Sequence, residues 1–264
     1  MNNELMNSSV NKVPSQDQLI NYTLHLADNA LMLGHRNSEW CGHGPVLEQD
    51  IAITNISLDL IGQARNFYQY AATLAGNGST EDTLVSLRDA NEFKNCLLVE
   101  LPKGDWAVTI LRQFLFSNYQ DLLYRQLQHS RDEQLAAIAV KAAKEVTYHL
   151  RWSSEWVIRL GNGTIESHRR MVDAIEILWP YTGEFFEPAD YEKKSVAEGT
   201  GVDPAQLKDQ WLEKVRVIFA EATLAYPADN KQLSGGKQGT HTEHLNDILV
   251  DLQYMQRTYP GAEW

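Results

Sequence analysis

Two segments of about thirty residues dominate this chain, and helices of that length would each run roughly 45 Å. In Val46–Ala75, one apolar stripe is formed by Ile53, Ile56, Leu60, Ala64, Phe67, Ala71 and Leu74, and a second by Leu47, Ile51, Leu58, Ile61 and Tyr68. In Asp132–Leu160, the stripe is Leu135, Ile138, Ala142, Val146, His149, Ser153, Val157 and Leu160. Steps of three and four follow the α-helical period. Both segments stop at Gly-Asn-Gly, residues 76–78 and 161–163, a C-cap signal. Rods this long bury their stripes by lying side by side, which predicts a long antiparallel bundle. The two-sided apolar pattern of the first rod predicts that it sits centrally.

The other segments fit that plan. Asp17–Arg36 carries Leu19, Tyr22, Leu26, Ala30 and Leu33, and a further helix is expected from Asp105 to Ser130. Between the first two helices lies Glu39-Trp40-Cys41-Gly42-His43-Gly44-Pro45, whose glycines and proline break regular structure. Three more helices are expected. One covers Ile165–Phe186, kinked by Pro180. Another starts at Asp203-Pro204 and ends near Tyr226. The last carries Leu245, Ile248, Leu252, Met255 and Tyr259. Residues 187–202 and 227–240 read as polar loops. Residues 1–16 are polar and read as a flexible extension, with residues 17–264 forming a single helical domain. The expected fold is all-α, a long four-helix bundle with about three additional helices.

Composition excludes several functions. Lys and Arg number 23 against 35 Asp and Glu, a net charge of −12, which would repel nucleic-acid phosphates and anionic membranes. Two cysteines, Cys41 and Cys96, make neither a disulfide framework nor a Cys-rich zinc module. No segment approaches the ~20 apolar residues of a membrane span, and the N-terminal residues lack a signal-peptide pattern. A cytoplasmic location is expected.

Polar residues inside the apolar rods carry the functional signal. Asn55, Asp59, Gly62 and Asn66 form a polar line on the second helix. Asp121 follows Ile110, Phe114 and Ser117 on the third, and His149 lies on the core stripe of the fourth, with Lys141 and Glu145 beside it. Buried ionisable groups require partners or a metal. Long bundles with inward carboxylates suggest ferritin-like di-iron proteins, built from two Glu and two Glu-x-x-His pairs. That spacing aims both ligands at one point. No Asp or Glu stands three residues before any histidine here: the residue three before His149 is Val146, and the one three after Asp59 is Gly62. Asp59, Gly62, Asp121, Glu145, Val146 and His149 are therefore candidates for a vestigial site. Asn55, Asp59, Asp121, Lys141, Glu145 and His149 are candidates for a buried polar network that replaces the metal. The alternative is an independent metallo-oxidase or iron-binding bundle with Asp59, Asp121, Glu145 and His149 as atypical ligands. A third reading is a free-standing interaction module. Ser234-Gly235-Gly236-Lys237 fails the phosphate-loop spacing and reads as a flexible loop. His241-x-x-His244 has no third zinc ligand and suits a capping or interface role.

These fragments also carry a resemblance. The loop EWCGHGP (Glu39–Pro45), LDLIGQARNF (Leu58–Phe67), KEVTYHLRWS (Lys144–Ser153), RLGNGT (Arg159–Thr164), GKQGTHTEHL (Gly236–Leu245) and LQYMQRTYPGAEW (Leu252–Trp264) make the chain similar to the C subunits of bacterial ring 1,2-phenylacetyl-CoA epoxidases, from about Asp17 onward. That resemblance implies a ferritin-like, non-catalytic structural subunit in phenylacetate catabolism. It implies no cofactor in this chain, a di-iron centre in a catalytic partner subunit, and a reductase supplying electrons from NADPH. Lys237, His241 and His244 are then candidates for contacts to CoA or to a partner.

Overall fold

A computed structural model describes residues 14–227 and 231–262 of the chain. The helices are α1 (Pro14–Ser38), α2 (Leu47–Ala75), α3 (Glu81–Ser86), α4 (Leu97–Glu100), α5 (Trp106–Leu127), α6 (Glu133–Gly161), α7 (Ile165–Leu178), α8 (Asp190–Glu198), α9 (Lys208–Glu221) and α10 (Glu243–Thr258). No strand occurs among the described residues. Helix α1 packs along α2 and α5 along α6, making two hairpins that meet where α2 contacts α6. Around this four-helix bundle, α7 and α9 lie on α5, α8 lies on α1, and α10 lies on α3 and α4. The fold is the all-α class that the periodicity predicts, a long four-helix bundle with additional helices packed on it.

Local chemistry sets the boundaries. The carboxylates of Asp105 and Asp132 accept hydrogen bonds from the amides of Val108 and Leu135 at 3.0 and 2.9 Å, capping the starts of α5 and α6. Helix α2 ends on Gly76 at φ 59°, a left-handed turn that glycine adopts without Cβ strain. The matching Gly-Asn-Gly after α6 works differently. There a Cβ on Gly161 would lie 2.3 Å from the carbonyl oxygen of Ala222, so glycine lets the end of α9 approach.

Several boundaries and placements depart from expectation. Helix α1 begins at Pro14 rather than Asp17, because proline suits a first helical position, and the Gln16 amide donates to the Leu74 carbonyl at 2.6 Å. Residues 14–16 are thus helical, and the rest of the expected extension lies outside the described residues. The expected helix 165–186 ends at Leu178, because Pro180 brings no amide hydrogen, and short 3-10 turns, Trp179–Tyr181 and Gly183–Phe186, replace its end. The expected loop 187–202 contains α8, whose Tyr191, Glu192 and Ser195 are buried.

The largest correction concerns the centre of the bundle. Helix α5, not α2, is buried on all sides from Ala107 to Asp121, down to Arg112, Gln113, Asn118, Gln120 and Asp121. It is covered by α4, α6, α7 and α9. Trp211 of α9 donates its indole N–H to the Leu115 carbonyl at 2.9 Å, and Asn118 donates to the Trp211 carbonyl at 3.0 Å. On α2 the first stripe is buried from Ile53 to Ala71, but four members of the second are open: Leu47 is 71% exposed, Ile51 52%, Leu58 62% and Ile61 40%, while its fifth member, Tyr68, is buried.

Candidate functional site

The expected metal-site positions lie on α2, α5 and α6, and the structure joins only some of them. His149 is fully buried, and its Nε2 sits 3.0 Å from Oδ2 of Asp59, whose side chain is 40% exposed. Gln63 donates to Oε2 of Glu145 at 2.9 Å. Val146 is fully buried, so hydrocarbon occupies the place where the Glu-x-x-His pattern needs a carboxylate. A Cβ on Gly62 would meet nothing within 4 Å. Asp121 is buried but pairs along its own helix with Arg125, at 2.9 Å. Nearer the end of α1, Asn37 donates to Gln113 at 2.6 Å and Gln113 to Ser117 at 2.7 Å, so the polar groups there are neutral amides and a hydroxyl.

The expected buried network therefore needs correction. Asn55 and Lys141 are exposed, because their helix faces turn outward from the bundle. Asp121 is held by Arg125 rather than by Asp59 or His149. What remains is two separate pairs, Asp59–His149 and Gln63–Glu145. Among the described residues no three His, Cys, Asp or Glu side chains converge closely enough to hold a metal ion. The donor set does not fit a di-iron centre, which needs convergent carboxylates and histidines.

The dense polar cluster lies elsewhere, where α1 meets residues 88–100 and the C-terminal loop. Asp28 is fully buried. It accepts from Arg88 Nη1 at 3.0 Å, from the Lys94 amide at 2.8 Å and from the Tyr68 hydroxyl. Burial, followed by the Asp28 charge, pushes the Tyr68 hydroxyl well above its ordinary range. Glu100, also fully buried, accepts from the Thr242 amide at 2.7 Å, the Thr242 hydroxyl at 2.9 Å and Asn95 Nδ2 at 2.7 Å. His241 Nδ1 lies 2.7 Å from Glu100, and its Nε2 lies 3.0 Å from the Phe93 carbonyl. Burial opposes charging of this imidazole, but the Glu100 hydrogen bond and charge outweigh it, so His241 titrates above its ordinary value. His25 goes the other way, lowered chiefly by burial.

The three residues expected to contact CoA or a partner are placed differently by the fold. Lys237 is buried, its Nζ donating to the Phe185 and Glu187 carbonyls at 3.1 and 3.2 Å and to Glu192 at 3.1 Å. His241 is enclosed by Glu100 and Phe93. Only His244 is partly open, and its carbonyl accepts from Arg36 at 3.1 Å. The expected flexible glycine loop is a close-packed seam. A Cβ on Gly236 would fall 2.3 Å from the Asn95 carbonyl, and one on Gly239 would fall 2.1 Å from that of Asn91. Glu184 binds the seam through the amides of Leu97 and Gly235, at 2.7 and 2.9 Å. Apart from His25 and Asp28, spaced as neighbours on one helix face, these partners left no pattern in the sequence.

Cys96 is buried, and burial pushes its thiol well above the ordinary range, which leaves it unreactive. No helix among the described residues is long and apolar enough to cross a membrane.

The order and packing of the helices define an all-α, ferritin-like protein. The chain belongs to the phenylacetic acid catabolic protein family, which it matches over residues 4–264. It is 50% identical over 248 residues to the Escherichia coli (strain K12) protein named as the C subunit of 1,2-phenylacetyl-CoA epoxidase; the match covers 94% of this chain and 100% of that protein.

Proposed function

We propose that this chain is the non-catalytic structural subunit of a cytoplasmic, multicomponent phenylacetyl-CoA epoxidase acting in phenylacetate catabolism. In this reading it pairs with a catalytic subunit that carries the di-iron centre, and a reductase supplies that subunit with electrons. The observation that carries the reading is the open stripe of α2. Leu47, Ile51, Leu58 and Ile61 stay at least 40% exposed on a long, regular helix. Contiguous apolar surface of this kind marks a protein interface. A rigid helix lets the stripe seat against a helix of a second bundle. The hydrocarbon at Val146 and the paired His149 support the same reading, because they keep the bundle centre folded with no metal in it. The strong likeness to a protein named as an epoxidase component supports the assignment to that complex.

The test is co-expression with the catalytic subunit of that complex. Leu58→Glu should leave the helical circular dichroism signal and melting temperature of the isolated chain unchanged, and should abolish co-elution with the partner. Iron should co-purify with the partner alone after anaerobic reconstitution with ferrous iron. Retained co-elution would remove α2 as the interface. Stoichiometric iron in the isolated chain would return Asp59, Asp121, Glu145 and His149 to consideration as atypical ligands.

A further inference from the structure

The open stripe of α2 is narrow. Four exposed side chains fall well short of the about 20–30 residues that each side of a stable interface supplies, so the surface must extend onto a neighbouring element. Two long helices pack against α2, and they differ. Helix α1 is buried all round from Tyr22 to Leu33, covered by α2, α4 and α8. Helix α6 keeps its outer face open.

That face is basic. Lys141, Lys144, Tyr148, Arg151 and Arg159 are all exposed. At 3.6 residues per turn they fall within about 80° of the helix circumference, over about 27 Å of its length. Between Lys141 and Arg159 the one acid on this arc is Glu155. The chain as a whole carries 35 acidic against 23 basic residues, yet among the described residues none of the four cations makes an ion pair. Two are held over rings instead. Arg151 lies 5.7 Å from the centre of Tyr148, and Arg159 lies 4.8 Å from that of Trp156.

The two stripes share one side of the bundle. The seam between the helices is marked by Asp59–His149 and Gln63–Glu145. On α6, Lys141 and Tyr148 lie one turn either side of Glu145. On α2, Asn55 and Gly62 lie one turn either side of Asp59, with Ile51 and Leu58 just beyond them around the helix. The outer surface therefore passes from a basic strip on α6, across the seam, to an apolar strip on α2.

We propose, resting on the α2 reading above, that α6 is the second half of the same docking surface and that it receives an acidic face of the catalytic subunit, laid along the helix. Opposite charges across an interface fix the partner's register and speed encounter. A cation already held over a ring gives up less freedom when it pairs. A nucleic acid or an anionic membrane would meet the repulsion of a chain with net charge −12, whereas a protein partner needs acidic residues only where it touches α6.

The experiment is surface plasmon resonance of the full chain against the catalytic subunit, at about 50 and about 500 mM salt, because exposed charges are screened as salt rises. Lys141→Glu/Lys144→Glu/Arg151→Glu should weaken binding at least tenfold at low salt, chiefly through slower association, and the gap to wild type should narrow at high salt. Lys141→Gln/Lys144→Gln/Arg151→Gln adds no repulsion; it should weaken binding at least threefold and leave the melting temperature unchanged. If both triple variants bind as wild type does while Leu58→Glu does not bind, the α6 inference falls and the α2 reading stands. A loss that is equal at both salt concentrations also overturns α6, since it reports a structural change rather than charge pairing. Salt-sensitive self-association that the variants lose, with binding to the catalytic subunit intact, assigns the strip to a second copy and overturns it as well. A wild-type chain that does not bind the catalytic subunit at either salt concentration overturns both readings.

Discussion

His149 of α6 and Asp59 of α2 face each other across the seam between the two hairpins, Nε2 to Oδ2 at 3.0 Å, one side chain fully buried and the other 40% exposed. The asymmetry decides how the pair responds to mutation. Removing Asp59 leaves a buried imidazole without its partner, which costs about 1–3 kcal/mol. Water reaches the vacated position, so the lower half of that range is expected for Asp59→Ala. His149→Ala adds a cavity to the lost hydrogen bond and should cost more. Urea denaturation of the two variants checks the order. Equal losses would mean that the carboxylate, not the imidazole, holds the seam.

Asp28 and Arg88 form the opposite case, with both partners buried. Breaking such a pair from one side strands a charge in the core and costs about 3–5 kcal/mol. Asp28→Ala should therefore lower stability far more than Asp59→Ala, or prevent soluble expression. Arg88→Met with Asp28→Leu should recover part of the loss, since neither charge is then stranded. A double variant as unstable as the sum of the singles would argue against a coupled pair.

His241 predicts a pH dependence. Both ring nitrogens face acceptors, Glu100 and the Phe93 carbonyl, so the doubly protonated ring satisfies both contacts. Its titration point in the fold lies above the ordinary 6.5. The folded chain then binds more protons than the unfolded one in the window above 6.5. This contribution is complete below about pH 6.5 and fades as pH rises through the folded value. The stability gap between wild type and His241→Asn should be widest at pH 6 and should narrow towards pH 9. His25, whose value is lowered by burial, acts with the opposite sign: its contribution is present above 6.5 and is lost as pH falls. The single-variant difference, rather than the wild-type profile, isolates His241. A gap that widens with pH contradicts the assignment.

Two glycines should respond in opposite directions. A Cβ on Gly62 meets open space in the middle of α2, so Gly62→Ala should stabilise the isolated chain by about 0.5–1 kcal/mol through helix propensity. A Cβ on Gly236 would press into the Asn95 carbonyl at 2.3 Å. Gly236→Ala must open the seam and should lower the melting temperature. Thermal melts of both variants test the pair, and a stable Gly236→Ala chain would show that the seam can yield.

The four long rods could be read from the chain alone, because an amphipathic period and a cap are local properties. Asp105 and Asp132 cap the helices they precede, and Val146 three residues before His149 already ruled out the usual metal pattern. Both facts are written within one turn of helix. The polar core could not be read that way. Arg88 finds Asp28 across 60 residues and His241 finds Glu100 across 141, and no period links such positions. Lys237 looked like an exposed cation in a glycine loop until the fold wrapped that loop around Glu184, Glu192 and the Asn95 carbonyl. The same limit explains α2 and α5. A stripe of apolar residues announces that something will cover it. Whether the cover is the chain's own helices, as around α5, or another molecule, as we propose for α2, depends on how the rods stack.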